Sequence, residues 1–166
     1  MKSYNFAIVG ATGLVGRTFL KVIEEYHLPV NELKLFASEK SAGTKVSFMG
    51  KEYVVESLKK GCFIGTDFAL FSAGGSVSKA WAPVAEKEGA LVVDNSSQWR
   101  MDDNCALIVP EINPDDYKTK SRIIANPNCS TIQSVLPLKP LDDEFHLTRV
   151  HYNTYQAVAG SGKKGI

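Results

Sequence analysis

The residue best suited to chemical reaction is Cys129, which stands near the end of residues 123–131, IIANPNCST. The apolar start of this segment ends in Asn126, Pro127 and Asn128, residue types that stop a strand and turn the chain, and a helix-like pattern follows. Cys129 is therefore predicted at a helix N-terminus, where unpaired N–H groups and the helix dipole stabilise a thiolate, which is a nucleophile. The alternative is an inert core cysteine, since free cysteines are mostly buried.

A polar cluster, DNSSQWR at residues 94–100, follows another apolar run at residues 90–93. In an open α/β sheet, ligands bind beyond the carboxyl ends of the strands, so we expect this cluster and Cys129 to line one crevice. Arg100 is its most informative member, because a guanidinium can form two parallel bonds to a phosphate or carboxylate. An ordinary surface arginine is the alternative.

The N-terminal sequence predicts a strand, a glycine turn and a helix, which together would border such a crevice. Tyr4–Val9 is a strand-like run, GATGLVG follows at residues 10–16, and apolar residues then recur at helical spacing. Gly10, Gly13 and Gly16 form GxxGxxG, a spacing variant of the dinucleotide fingerprint that allows a tight turn and close approach to a pyrophosphate. A glycine triplet with a purely structural role remains the alternative.

The segment SEKSAG, residues 38–43, follows a second predicted strand at residues 33–37 and should meet the adenosine ribose. Ser38, Lys40 and Ser41 can donate to a 2′-phosphate, which favours NADP. Glu39 could instead accept from a 2′-hydroxyl, and a solvated surface lysine is an equal alternative for Lys40.

The remaining pattern predicts a Rossmann-type, doubly wound and mainly parallel α/β sheet over residues 1–130, with helices on both faces. Residues 45–55 indicate a hairpin, and residues 68–72 a strand followed by a helix that Ser76 caps. We assign residues 131–166 to a linking helix and the first elements of an α+β domain, whose strand-like residues 146–158 lack a companion helix. The chain is expected to stop partway through that domain.

Composition excludes several classes of protein. The 166 residues are 44% hydrophobic with a formal charge of +1, which gives no electrostatic argument for nucleic acid or membrane partners. Cys62, Cys105 and Cys129 are spaced neither as CxxC nor with histidines at metal-ligand intervals, so we expect a reducing compartment and no metal. The N-terminus runs into a strand without a cleavable apolar segment, and no apolar run approaches membrane-spanning length, so we expect a cytoplasmic location.

The motifs GATGLVG, ASEKSAG, SAGG, DNSSQWR, VPEIN, NPNCST and TYQAVAGSG occur in this order along the chain. Together they resemble the N-terminal part of the aspartate-semialdehyde dehydrogenase family. The resemblance implies an NADP-dependent enzyme that reduces L-aspartyl-4-phosphate to L-aspartate 4-semialdehyde with release of phosphate, toward lysine, threonine and methionine. It also implies a homo-oligomer at full length.

The resemblance also implies individual roles. Cys129 matches the family's nucleophile, Gln156 its active-site glutamine, and Arg100 its phosphate-binding arginine, with Asn95 and Asn128 nearby. The positions that match cofactor contacts are Gly10, Thr12, Gly13, Leu14, Val15, Ser38, Lys40, Ser41 and Gly74. Lys40 stands where many members have arginine. The family supplies a histidine acid/base and a carboxylate-binding arginine from its second half, so we expect these 166 residues alone to be inactive.

Two other functions remain open. The related N-acetyl-glutamyl-phosphate reductase shares the acyl-phosphate chemistry, although NPNCST and TYQAVAGSG are more similar to the aspartate enzyme. A nucleotide-binding module without catalysis is the alternative from another class. A short-chain reductase is disfavoured, because no tyrosine here is followed by lysine four residues later.

Overall fold

The computed structural model describes residues 2–117 and 121–155, and the chain divides into two compact units, Met1–Pro127 and Asn128–Ile166. Within the described residues, the first unit holds eight strands and two α-helices, and the second unit holds one α-helix. The strands are β1 Tyr4–Val9, β2 Val30–Ala37, β3 Lys45–Phe48, β4 Lys51–Ser57, β5 Phe68–Phe71, β6 Leu91–Asp94, β7 Ala106–Leu107 and β8 Ile123–Ala125. The helices are α1 Leu14–Glu25, α2 Gly75–Lys87 and α3 Cys129–Phe145.

One sheet carries the first unit, in the order β3-β4-β2-β1-β5-β6-β8-β7. All neighbouring strands are parallel except β3 and β4, which form an antiparallel pair. The predicted Rossmann-type, mainly parallel α/β fold is confirmed. Strand β1 lies between β2 and β5, so the winding reverses at β1, and a crevice opens where the connections diverge.

The two helices of the first unit cover opposite faces of the sheet. Along β1, Phe6 and Ile8 belong to the core cluster that contains Leu20 and Ile23 of α1. Residues Ala7 and Val9 belong instead to the cluster that contains Ala82 and Ala85 of α2. Successive side chains of a strand point to opposite faces, so α1 and α2 pack on different sides, as the sequence predicted.

The structure agrees with the sequence prediction at the β3–β4 hairpin and differs from it at the N-cap of α2. The predicted hairpin is confirmed: Met49 and Gly50, with φ 48° and φ 74°, connect β3 to β4 as the two central residues of a tight turn. The prediction that Ser76 caps α2 is wrong, because the helix begins at Gly75, two residues before the start that a Ser76 cap would give. Its N-cap is Gly74, whose φ of 90° is a conformation that glycine adopts without a steric penalty.

The predicted strand at residues 146–158 is not formed over the part that the structure describes. Residues 146–155 carry no regular secondary structure, and residues 156–158 lie outside the described residues. The β-branched and aromatic residues there satisfy a strand pattern, but a strand also needs a neighbour to complete its hydrogen-bond ladder. No described strand of the second unit supplies one.

We expect Gly16→Ala to lower the free energy of unfolding by about 2–3 kcal/mol, because a Cβ cannot be accommodated without a backbone shift. Built at Gly16, a Cβ would lie 2.2 Å from the carbonyl oxygen of Gly10 and 2.8 Å from Cα of Ala11. The control is Gly75→Ala, at the first residue of α2, where a Cβ would lie 3.9 Å from the side chain of Gln98. Urea denaturation followed by circular dichroism measures both, and equal losses would contradict the steric explanation.

Candidate functional site

The glycine turn after β1 brings two loop backbones into direct contact. Gly10 has φ 94°, its N–H donates to the carbonyl oxygen of Phe36 at 2.8 Å, and its carbonyl accepts from Gly13 at 3.0 Å. A Cβ at Gly10 would lie 2.5 Å from the carbonyl oxygen of Ser72, which follows β5. Glycine is therefore required at position 10 by both its conformation and this close approach. The loops that follow β1 and β5 therefore meet backbone to backbone at Gly10 and Ser72.

Two helices begin beside this backbone contact with no acidic side chain in their first turns. The N-caps are Gly13 for α1 and Gly74 for α2, and neither makes a side-chain cap hydrogen bond. The positive ends of both helix dipoles are thus free of competing anions from their own first turns. This arrangement fits a pyrophosphate, whose oxygens accept from such N–H groups. The predicted contacts Thr12, Leu14 and Val15 lie in the turn and at the start of α1.

The predicted ribose-binding segment forms a short 3₁₀ turn, Glu39–Ser41, directly after β2. Ser38 and Ser41 face each other, with their hydroxyl oxygens 3.5 Å apart, and the N–H of Ser41 donates to the carbonyl of Ser38 at 2.8 Å. Lys40 and Glu39 are both exposed, and within residues 2–117 and 121–155 neither forms an ion pair. Two hydroxyls and one ammonium group are therefore available to a phosphate.

The predicted phosphate-binding arginine is held by backbone carbonyls beyond β6 and β8. Nε of Arg100 donates to the carbonyl oxygen of Asn126 at 2.9 Å, and Nη2 donates to that of Asn95 at 3.3 Å. Among the described carboxylates, none forms a salt bridge with Arg100. Its guanidinium is therefore not neutralised by a described carboxylate and has further N–H donors for an anion.

Sequence reasoning did not identify Asn126 as part of this arrangement. Its amide Nδ2 donates to Oδ1 of Asn95 at 2.7 Å, and its own N–H donates to the carbonyl of Asp94 at 2.8 Å. Asn126 therefore ties the end of β8 to the end of β6 and supplies the carbonyl that holds Arg100. The signal in the sequence is the pair of asparagines in NPN, for which a role toward substrate is predicted at Asn128 alone.

A buried hydroxyl on α2 holds the loop that follows β6 and carries Arg100. The indole Nε1 of Trp99 donates to Oγ of Ser78 at 2.8 Å, and Ser78 is 1% exposed. Trp99 also packs against the core cluster of the α2 face. The residue before Arg100 is thus anchored by both a hydrogen bond and apolar contacts, which limits the movement of the loop.

In the second unit, α3 begins at Cys129, as the sequence predicted. Asn128 is its N-cap, and Oδ1 of Asn128 accepts from the N–H of Ser130 at 2.9 Å. Cys129 is exposed, so the inert core cysteine is excluded for this position. The predicted substrate contact Asn128 has a structural task at the cap, and its role toward substrate stays a prediction.

The other two cysteines lie in less accessible surroundings. Burial raises the pKa of the Cys62 thiol, which is packed in the core. Burial also raises the pKa of the half-buried Cys105 thiol, although a hydrogen bond with Ser121 opposes that shift. Both thiols therefore hold less reactive thiolate near neutral pH than an ordinary cysteine.

Some predictions concern groups that the structure does not display. Gln156 lies outside the described residues. Across residues 2–117 and 121–155, no cluster of His, Cys, Asp and Glu side chains is arranged to hold a metal ion. Within the same residues, no helix has the length and apolar character needed to cross a membrane.

The fold and the glycine turn define a dinucleotide-binding α/β domain, and comparison with known proteins agrees. Residues 5–120 match the family model described as "Semialdehyde dehydrogenase, NAD binding domain". The chain therefore belongs to the semialdehyde dehydrogenase family, which confirms the resemblance seen in its motifs.

Three known proteins illustrate this similarity. Aspartate-semialdehyde dehydrogenase of Aquifex aeolicus is 60% identical over 166 residues, which cover 98% of this chain and 49% of that protein. The structure of aspartate semialdehyde dehydrogenase II from Vibrio cholerae in complex with ASA is 45% identical, with a TM-score of 0.94 over 99% of this chain and 50% of that one. The Candida albicans enzyme with NADP is 27% identical, with a TM-score of 0.75 over 87% of this chain and 48% of that one. The chain thus spans about half the length of the relatives it matches.

We expect iodoacetamide at neutral pH to alkylate Cys129 at least about tenfold faster than Cys62 or Cys105, because Cys129 is exposed whereas burial raises the pKa of the other two. As the pH rises above the ordinary thiol range, Cys62 and Cys105 should gain thiolate and the difference should narrow. Peptide-resolved mass spectrometry against pH measures the three rates. Equal rates at neutral pH would count against a selective nucleophile at Cys129.

Proposed function

We propose that this chain provides the cofactor-binding half and the nucleophile of an NADP-dependent aspartate-semialdehyde dehydrogenase. The reaction is the reductive dephosphorylation of L-aspartyl-4-phosphate to L-aspartate 4-semialdehyde. The observation that carries the proposal is an exposed cysteine at the first residue of α3 in a chain that belongs to the semialdehyde dehydrogenase family. The names of the relatives support the choice of substrate.

Cys129 performs the covalent step in this proposal. Its thiolate attacks the acyl carbon of the substrate, the bond from that carbon to the phosphate oxygen breaks, and a thioester forms as inorganic phosphate leaves. When bound, NADPH supplies the hydride that converts the thioester to the aldehyde and returns the thiolate. The amide of Gln156 is proposed to orient the acyl group beside Cys129.

Arg100 is proposed to hold the phosphate that leaves. Its guanidinium is aimed by two backbone carbonyls and carries no salt bridge to a described carboxylate, so its charge can offset that of the phosphate. Asn95 and Asn128 are proposed to donate further hydrogen bonds through their amide Nδ2 atoms.

The cofactor is proposed to lie along the crevice between β1 and β5. Its pyrophosphate would accept from N–H groups at the start of α1, beside Gly10 and Gly13, and would face Gly74 at the start of α2. The hydroxyls of Ser38 and Ser41 and the ammonium of Lys40 would hold the 2′-phosphate that distinguishes NADP from NAD. The Candida albicans relative solved with NADP supports this preference.

The complete enzyme is proposed to need more than these residues. The chain spans about half of its relatives, and the histidine acid/base and carboxylate-binding arginine implied by the resemblance have no counterpart among its motifs. We therefore expect the 166-residue chain alone to show no turnover. A homo-oligomer in the cytoplasm and a place in lysine, threonine and methionine synthesis stay predictions.

We expect NADPH to bind more tightly than NADH, and Lys40→Ala to narrow the difference by about fivefold to thirtyfold, the effect of one charge-assisted contact. Quenching of Trp81 and Trp99 fluorescence in titrations with each nucleotide measures the affinities. Lys51→Ala is the matched control, because Lys51 is also exposed but lies on the hairpin strand β4. Equal affinities for both nucleotides would indicate that Glu39 accepts from the ribose instead.

Cys129→Ala should abolish formation of NADPH from aspartate semialdehyde, phosphate and NADP, since no thioester can form. The assay uses the enzyme at the length of its relatives, with the 166-residue chain measured in parallel. Cys105→Ala is the control and should retain activity. Assays with N-acetyl-glutamate semialdehyde separate the related reductase from the proposed enzyme. Turnover that survives Cys129→Ala would refute the covalent mechanism.

A further inference from the structure

A carboxylate is buried at the end of β6, where the loop to Arg100 begins. Asp94 is 0% exposed and lies beside Phe71 of β5 and Ala125 of β8 in the sheet register. Removing a carboxylate from water is costly unless hydrogen bonds compensate, and an apolar side chain of similar volume would avoid that cost. A role in core packing alone does not explain this residue.

The hydrogen bonds of Asp94 run into the loop. Oδ2 of Asp94 accepts from the hydroxyl of Ser96 at 2.5 Å, and Oγ of Ser96 in turn accepts from the N–H of Gln98 at 3.1 Å. Oδ1 of Asp94 has no hydrogen-bond partner among the described groups. The carboxylate thus acts through one serine, whose hydroxyl both donates and accepts.

This series of hydrogen bonds bends the loop back toward its own beginning. Asn95 is held by its N–H, which donates to the carbonyl of Phe71 at 2.9 Å. Two residues after Gln98, the guanidinium of Arg100 returns to the carbonyl of Asn95 at 3.3 Å and reaches that of Asn126 at 2.9 Å. Trp99 stays anchored to Ser78, so the bend at Ser96 constrains the remaining part of the loop. Without that bend, residues 95–98 have more freedom and the direction of the guanidinium is less well defined.

We propose that Asp94 is a positioning residue that acts through Ser96 to fix the Arg100 guanidinium for a phosphate. Asp94 touches neither the phosphate nor Arg100 in this role. The proposal rests on the proposed function for the identity of the anion. The positioning itself rests on the hydrogen bonds of the loop and can be tested separately.

The first measurement follows Arg100 directly. Solvent exchange of its Nε–H proton, assigned by nuclear magnetic resonance with Arg100→Lys, should be slow because that proton is bonded to Asn126. Ser96→Ala and Asp94→Leu should each accelerate exchange by about tenfold, and the double variant should add little, since the two groups act in series. Asp94→Asn should stay within about twofold of wild type, because an amide oxygen also accepts from Ser96.

The matched control is Thr66→Val. Thr66 is also a buried polar residue, 4% exposed, and its hydroxyl has no hydrogen-bond partner among the described groups. It precedes β5, away from the carboxyl ends of the strands. Its loss can change stability but should leave the Arg100 proton protected. Ser96 is only half-buried, so Ser96→Ala keeps the test valid if Asp94→Leu fails to fold. Unchanged exchange in Ser96→Ala would overturn the proposal.

The second measurement is the dissociation constant for inorganic phosphate, from chemical-shift titration of the same variants. We expect Ser96→Ala and Asp94→Leu to weaken phosphate binding by about tenfold, and Thr66→Val to leave it unchanged. Faster exchange with unaltered phosphate affinity would support the positioning but refute the proposed role of Arg100. Weaker binding in Arg100→Lys alone would support that role and overturn the part assigned to Asp94.

Discussion

The close approach of two loop backbones, at Gly10 after β1 and Ser72 after β5, is the constraint on which the rest of the first unit depends. A Cβ at Gly10 would lie 2.5 Å from the Ser72 carbonyl oxygen. Only glycine at position 10 therefore allows the loops after β1 and β5 to pass so close to each other. From that point α1 and α2 diverge to opposite faces of the sheet. The crevice exists because these connections separate.

The groups that the first unit offers to an anion are mainly helix dipoles and neutral hydrogen-bond donors. The starts of α1 and α2 offer backbone N–H groups, Ser38 and Ser41 offer hydroxyls, and Lys40 and Arg100 offer positive charge. Arg100 is oriented by carbonyl oxygens, which accept its hydrogen bonds without neutralising it. A carboxylate in the same place would orient the guanidinium equally well, but it would compete with a phosphate for its charge.

Predictions from sequence succeeded where a property is local. The Tyr4–Val9 strand, the hairpin at Met49 and Gly50 and the start of α3 at Cys129 each follow from residue types within a few positions. The predictions failed where the conformation depends on another part of the chain. Ser76 has the chemistry of a cap but lies inside α2, because Gly74 adopts φ 90° and starts the helix earlier. Residues 146–155 have strand-like composition but no described neighbour with which to pair.

The sequence by itself determined the fold class, the glycine turn, the family and the residues with reactive groups, because hydrophobic period, turn chemistry and motif order are all written along the chain. Tertiary structure decided which groups meet. Asn126 holds Arg100 and Ser78 holds Trp99, although spacing along the chain gives little indication of these partners. The physical reason is that parallel strands bring distant loops to one edge of the sheet, so hydrogen-bond partners there are set by strand order and register.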